Sequence, residues 1–206
     1  MDKLSRWEER EPDGGAGKEH SMLVKEIPFV LKDGRKALLR CPRNEDIPGL
    51  LNYLVVSSGE TDFIVRSPEE CDKYTPEKEA QWIEQMNSSK DAVTLVCEVN
   101  GTIAGNCEVK RHGSMKTRHR ATVGIALLSE FWGQGIGTKM FEEMIRVAEG
   151  WDGVTQMELE FVEGNARARG LYEKMGFRIT GMRPDAIRRK DGVLLNEYLM
   201  VKKLSR

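Results

Sequence analysis

"SEFWGQGIGTKM", residues 129–140, decides how this chain is read: glycines stand at 133, 135 and 137, and an amphipathic stretch follows at once. Glycine at alternate positions marks a backbone that turns sharply or lets another group come close. Directly upstream, "RATVGIALL" mixes β-branched and small residues, as a central, half-covered strand does. Directly downstream, Ile136, Met140, Met144, Ile145 and Ala148 recur at helical spacing and predict a helix over 137–148. A strand, a glycine turn and a helix N-terminus together make an anion site. The first helical amides have no internal acceptor, and the helix dipole adds roughly half a positive charge there.

Two nucleotide motifs fail against this stretch. The Rossmann fingerprint needs G-x-G-x-x-G in an early βαβ unit, whereas the spacing here is G-x-G-x-G, late in the chain and after antiparallel hairpins. The P-loop needs a glycine before its Lys-Ser/Thr pair, whereas Lys139 follows Thr138.

Further upstream, "PFVLKDGRKALLRCP" reads as a hairpin turning at Asp33-Gly34, with arms over 29–32 and 36–41. "EDIPGLLNYLVVSS" places Ile47, Leu50, Leu51 and Leu54 on one helical face. After an irregular segment over 57–75, "TPEKEAQWIEQMNSS" starts a second helix with Thr75 as N-cap and Pro76 at the first helical position. "DAVTLVCEV" and "TIAGNCEVKRH" are joined by Asn100-Gly101, a type I′ hairpin signal. Toward the C-terminus, "VTQMELEFV" alternates Met157, Leu159 and Phe161 with Glu158, Glu160 and Val162. "NARARGLYEKMG" is a short helix capped by Asn165 and stopped by Gly176. "FRITGMRP" and "VLLNEYLMVKK" end the chain as strands around Asp191-Gly192. The order ββαα, three strands, then αβαββ is mixed α/β around one sheet. It makes a single domain over 26–206, preceded by a tail over 1–25 that has no hydrophobic period.

Bulk properties narrow the function. The 206 residues are 39% apolar and 32% charged, the balance of a soluble globular domain with a sizeable core. A net charge of −1 offers no basic excess for nucleic acid, and the basic cluster over 110–120 reads as a solvated hairpin tip. No run approaches the roughly 20 apolar residues of a membrane span. Residues 1–20 lack the apolar segment of a signal peptide, so a cytoplasmic location is the expectation. The four cysteines form no C-x-x-C pair and none has metal-ligand spacing with the three histidines; reduced thiols and no metal are expected.

"FWGQGIGTKMFEEMI" resembles the acetyl-coenzyme A signature of the GNAT superfamily of N-acetyltransferases, Arg/Gln-x-x-Gly-x-Gly/Ala, with Gly135 and Gly137 at its glycine positions. Trp132 departs from it, standing where the family has Arg or Gln. "NARARGLYEKMGF" resembles the family's second signature, Asn-x-x-Ala-x-x-Leu-Tyr-x-x-x-Gly-Phe, through Asn165, Ala168, Leu171, Tyr172, Gly176 and Phe177. Both lie in order, one helix and one strand apart, and the resemblance covers about residues 35 to 203. It implies an α/β (α+β) fold with a mostly antiparallel sheet of six to seven strands and about four helices. The sheet is splayed between the family's fourth and fifth strands to admit the pantetheine arm.

The resemblance also implies roles. Main-chain amides of Ile125 and Leu127 would bind the thioester carbonyl and pantetheine. Those of Gln134, Gly135, Ile136, Gly137 and Thr138 would hold the pyrophosphate, and Asn165 would bond the coenzyme besides capping its helix. Tyr172 is the candidate general acid; the alternative is an amphipathic tyrosine packed on the sheet with a wet hydroxyl. Many members carry a basic glutamate on the fourth strand, where this chain has Ala121. Glu160, five residues before Asn165, matches the place of a catalytic glutamate in ribosomal-protein alanine acetyltransferases, and the alternative is a solvent-facing strand residue. Glu60, Glu108 or a chain of waters are further alternatives, His119 reads as exposed, and Phe131 and Trp132 read as packing beside the cradle.

The implied activity is acetyl transfer from acetyl-CoA, as co-substrate, to a primary amine within a ternary complex. "RPDAIRRKDGVLLNEYLM" resembles small bacterial members that act on amino acids or related amines. Glu160 points instead to protein N-terminal acetylation, and a non-catalytic acyl-CoA sensor is the rival from another class. The acceptor pocket is expected between the 57–75 segment and the loop before the last strand. Members of the family often dimerise, so a homodimer is expected from the resemblance alone.

Overall fold

A computed structural model of the chain describes residues 24–205; the predicted tail lies outside them apart from residues 24 and 25. Eight strands form one sheet: β1 Ile27–Val30, β2 Lys36–Arg40, β3 Ala92–Val99, β4 Thr102–Arg111, β5 Arg120–Leu127, β6 Gln156–Val162, β7 Arg178–Arg188 and β8 Leu194–Lys203. The helices are α1 Ile47–Gly59, α2 Pro76–Ser88, α3 Ile136–Gly150 and α4 Ala166–Lys174. The spatial order is β1-β2-β3-β4-β5-β6-β8-β7, antiparallel throughout except where β5 meets β6. Eight strands exceed the six to seven implied by resemblance because both edges are extended. Among the described residues β1 pairs only with β2, and β7 only with β8.

The α3 helix is held to the sheet by Ile136, Met140, Phe141, Met144, Val147 and Ala148, all buried. Expected Ile145 lies at the border of that stripe, half-buried, and Phe141 and Val147 complete it instead. The opposite face of the sheet is covered by α1 and α2 through Leu50, Tyr53 and Ile83. A buried ionic knot ties β2, β3 and the start of α1: Arg40 donates to both carboxylate oxygens of Asp46 (2.6 and 2.7 Å) and to Glu98 at 2.7 Å. Burial alone would raise the Asp46 carboxyl, but the Arg40 bonds prevail and hold it below its usual range. All four cysteines are free thiols, three of them buried.

Two of the boundaries that differ from expectation do so for local reasons. The first arm ends at Val30, because the Leu31 N–H already bonds the Arg35 carbonyl (2.8 Å) and closes the turn. The β7 strand continues past Pro184 to Arg188 by means of a bulge opposite Asn196, where Asp185 takes a φ of 50° and donates its N–H to the Asn196 side chain.

The feature that matters most for function is the seam between β5 and β6. They pair over three positions only, from Arg120 facing Gln156 to Thr122 facing Glu158. Beyond Thr122 the strands part, and among the described residues the remainder of β5 runs on without a neighbour on that side. The splay expected from the resemblance is therefore present.

Candidate functional site

The parted strands open a cleft of about 490 Å³. Its lining includes Ile125, Ala126 and Leu127 of β5, the glycine turn, the first turn of α3, and Asn165, Ala168, Leu171 and Tyr172 from the start of α4 onward. The two stretches singled out in sequence thus face one another across one cavity.

The floor is a strand edge with free backbone. The Leu128 N–H donates to Ala104 (2.9 Å) and the His112 N–H to the Arg120 carbonyl (3.0 Å), so even-numbered residues here face β4. Antiparallel alternation then turns the N–H and C=O groups of Ile125 and Leu127 toward the gap. One of these groups is already occupied: the Trp132 indole N–H donates to the Leu127 carbonyl at 2.9 Å. Gly105 on β4 makes the floor possible, since a Cβ there would lie 2.4 Å from the Ala126 oxygen and 2.3 Å from a Leu127 methyl. An isolated glycine inside the strand pattern "TIAGNCEV" is the available sequence signal for it.

The cradle needs glycine for two distinct reasons. Gly133 and Gly135 take φ values of 77° and 98°, left-handed conformations that a side chain strains. Gly137 is helical, but a Cβ on it would sit 2.8 Å from the Leu171 side chain, so it lets α3 lie close to α4. The first turn-to-turn bond of α3 runs from the Lys139 N–H to the Gly135 carbonyl at 3.1 Å. The amides of Ile136, Gly137 and Thr138 precede it and are available to an anion. The Gln134 side-chain oxygen accepts from Asp33 N–H (3.1 Å) and its carbonyl from Lys32 N–H (3.3 Å), which ties the cradle loop to the β1–β2 turn. The side chain of Ile136 is buried in the core, so only its backbone can serve the cleft.

Tyr172 lines the cleft with its ring packed edge-on against Phe141 and Phe161. No hydrogen bond to its hydroxyl is formed among the described residues, and no buried side-chain polar atom there is left unsatisfied, so the hydroxyl meets the cleft. Burial pushes its pKa up to about 12, keeping it protonated. Asn165 accepts the Ala168 N–H at 3.1 Å as an N-cap, which leaves its amide NH₂ free to face the cavity.

The carboxylates do not gather there. Glu160 is exposed, is absent from the cleft lining and contacts Arg183 at 3.3 Å; Arg183 also binds Glu197. Strand alternation sends it to the sheet face away from Leu159 and Phe161, into water. Glu60 is committed to the start of the cradle loop, accepting from the Ser129 N–H (2.7 Å) and hydroxyl (2.9 Å). Glu108 accepts the Thr94 hydroxyl at 3.2 Å.

The opposite wall comes from the irregular 57–75 segment: Thr61, Phe63 and Ile64 line the cleft, and the Phe63 ring covers Gly164. Two ion pairs bridge this segment to the end of β7, Asp62 to Arg189 (3.4 Å) and Glu69 to Lys190 (2.6 Å). The 57–75 segment and the loop before the last strand are thus brought into contact, although no residue in either carried a motif. Arg167 was also missed; its guanidinium lies 4.4 Å over the Trp132 ring, and both residues line the cleft. Among the described residues no cluster of three or more His, Cys, Asp or Glu is arranged for a metal, and no helix is long and apolar enough to cross a membrane.

Comparison with known proteins agrees with this geometry. The profile of the acetyltransferase (GNAT) family matches residues 60–177. An L-amino acid N-acetyltransferase of Escherichia coli, AaaT, is 28% identical over 100 residues, which are 48% of this chain and 62% of that relative. The chain therefore aligns with less than two thirds of that relative's length. An acetyltransferase of the GNAT family from Streptococcus pneumoniae superposes with a TM-score of 0.76 at 28% identity, covering 81% of this chain and 99% of that one. YncA of Salmonella typhimurium, solved with its cofactor acetyl-CoA, shares the fold at a TM-score of 0.70 and 19% identity, over 82% and 95% of the two chains.

Proposed function

Because this chain belongs to the acetyltransferase (GNAT) family, we propose that it transfers the acetyl group of acetyl-CoA to the amino group of a small acceptor, a free amino acid or related amine. The observation that carries this reading is the cleft itself, in which the amide end of α3, the unpaired edge of β5 and the Tyr172 hydroxyl converge. Acetyl-CoA supplies an activated acyl group as a thioester. The amides of Gly135 to Thr138 suit its diphosphate, since free N–H groups and the helix dipole both favour anions. The N–H groups of Ile125 and Leu127 hold the pantetheine arm and stabilise the carbonyl oxygen as charge develops on it, a contribution of about 3 kcal/mol per donor. Tyr172, held protonated by burial, delivers the proton that the departing sulfur needs. No cysteine lines the cleft among the described residues, which favours direct attack by the amine over an acyl-enzyme route.

In this reading the amine loses its proton to water before attack. Glu160 contacts Arg183 at 3.3 Å on the exposed face of the sheet and does not line the cleft, so it is not placed to take that proton. The choice of a small acceptor rests on the wall that Thr61, Phe63 and Ile64 place across the cleft, and on the amino-acid activity in the name of the E. coli relative. A thiol-release assay against L-amino acids, polyamines, aminoglycosides and N-terminal peptides tests it. Turnover with one or a few amino acids or small amines is the expected result. Turnover confined to peptides would overturn the acceptor assignment in favour of protein N-terminal acetylation. Tight acetyl-CoA binding without turnover on any amine would identify a sensor.

A further inference from the structure

Trp132 stands where the matching signature has Arg or Gln, so the cradle lacks a side-chain cation in its own loop. The fold brings one in from another element. The Trp132 indole is pinned by its N–H to the Leu127 carbonyl at 2.9 Å, which fixes the plane of the ring. On that ring, 4.4 Å from its centroid, lies the guanidinium of Arg167, from the first turn of α4. Stacking uses the flat face of a guanidinium and leaves its N–H donors directed outward in the plane.

The neighbouring arginines are otherwise engaged: Arg169 bonds Glu173 at 2.8 Å, and Arg183 binds Glu197 and Glu160. Arg167 has no carboxylate within ion-pair distance among the described residues, and it lines the same cleft as Gly133, Gly135 and Thr138. Lys32 lines the cleft too, and Lys174 donates to the Thr138 hydroxyl at 3.3 Å, but both bring a point charge on a flexible stem. Among these three, Arg167 alone offers a planar fork, and another side chain already holds it over the cleft wall.

We infer that Arg167, positioned by stacking on Trp132, is the cation that binds the diphosphate of acetyl-CoA in this protein, taking over the part of the missing motif residue. Trp132 is then a positioning residue and Arg167 a binding residue. The inference rests on the proposed function, and its test keeps the two apart.

Calorimetric titrations of the full chain with acetyl-CoA and with S-acetylpantetheine, which lacks the diphosphate, provide the readout. Arg167→Ala is expected to weaken acetyl-CoA binding about 10- to 100-fold, the scale of a lost charged hydrogen-bonding pair. It is expected to leave acetylpantetheine binding unchanged and to flatten the salt dependence of acetyl-CoA affinity. Trp132→Ala should reproduce that pattern more weakly, and Trp132→Phe should keep most of the affinity. Placing arginine back in the loop, as Trp132→Arg combined with Arg167→Ala, should recover affinity for acetyl-CoA but not alter that for acetylpantetheine. Equal weakening of both ligands, or no weakening of either, overturns the inference while leaving the acetyltransferase reading intact. A native protein that binds neither ligand would instead remove that reading, and the inference with it.

Discussion

The two walls of the cleft are built from different materials. The wall from β5 through α3 is backbone: strand-edge amides, left-handed glycines and a helix N-terminus. The facing wall is side chain: Thr61, Phe63 and Ile64 on an irregular segment, tied to the end of β7 by exposed ion pairs. A backbone wall imposes glycine at fixed spacings, because only glycine takes those φ values or allows those approaches. A side-chain wall can be made by many residues and is free to follow the acceptor. In the proposed function the first wall serves the shared coenzyme and the second faces the acceptor.

The sharpest way to break the backbone wall is to crowd it from behind. Gly105→Ala would drive a methyl group into the Ala126 carbonyl and the Leu127 side chain. It is expected to cost about 3 kcal/mol in a denaturant melt and to weaken acetyl-CoA binding; an unchanged melt and unchanged affinity would mean that the floor is not rigid.

Tyr172→Phe leaves the wall standing and removes one proton donor. We expect kcat to fall roughly 100-fold with acetyl-CoA affinity unchanged, and a parallel loss in binding would show that the hydroxyl only packs. The pH dependence has a definite sign. In the native protein this phenol's pKa is raised from 10.0 to about 12. Its contribution to stability is therefore fully present below pH 10 and disappears as the pH rises from 10 to 12. Across that window native protein should lose stability that Tyr172→Phe protein keeps, as paired melts from about pH 9 to 12 would show. No alkaline limb from this group should appear in the rate profile below pH 10.

The side-chain wall should respond differently. Phe63→Ala is expected to raise KM for the acceptor about tenfold, the scale of a buried aromatic contact, while KM for acetyl-CoA stays put. A rise in the coenzyme KM alone would reassign Phe63 to the other wall. The smallest effect is expected from Glu160→Gln, under about threefold in kcat, because its partner is a surface arginine. A 100-fold loss would restore Glu160 as the base.

Legibility in the sequence followed the same division. Gly133, Gly135, Asn165 and Tyr172 were readable because turn, cap and packing each restrict the residue types allowed at a given spacing. The strand-helix order was readable from hydrophobic period and from the hairpin dipeptides. For Glu160 the sequence leaves both readings open, candidate base or solvent-facing strand residue, since alternation separates the two faces of a strand but does not say which meets water and which meets the cleft. Phe63 and Arg167 carry no local pattern. Their importance comes from contacts across roughly a hundred residues for Phe63 over Gly164, and between two separate elements for Arg167 over Trp132. Such contacts appear only when the chain is folded.

The three-position seam between β5 and β6 has a thermodynamic consequence of its own. A sheet whose two halves are joined by so short a ladder is incomplete on its own, and the amides of Ile125 and Leu127 are left open to exchange with solvent. In the proposed function those amides acquire partners only when the coenzyme is bound, so the ligand acts as a strand the chain does not encode. Occupancy at a hundred times the dissociation constant would stabilise the native state by about 2.7 kcal/mol, with slowed amide exchange concentrated along this seam. Thermal resistance would then follow the supply of acetyl-CoA, and the protein would be least durable when it has no coenzyme to bind.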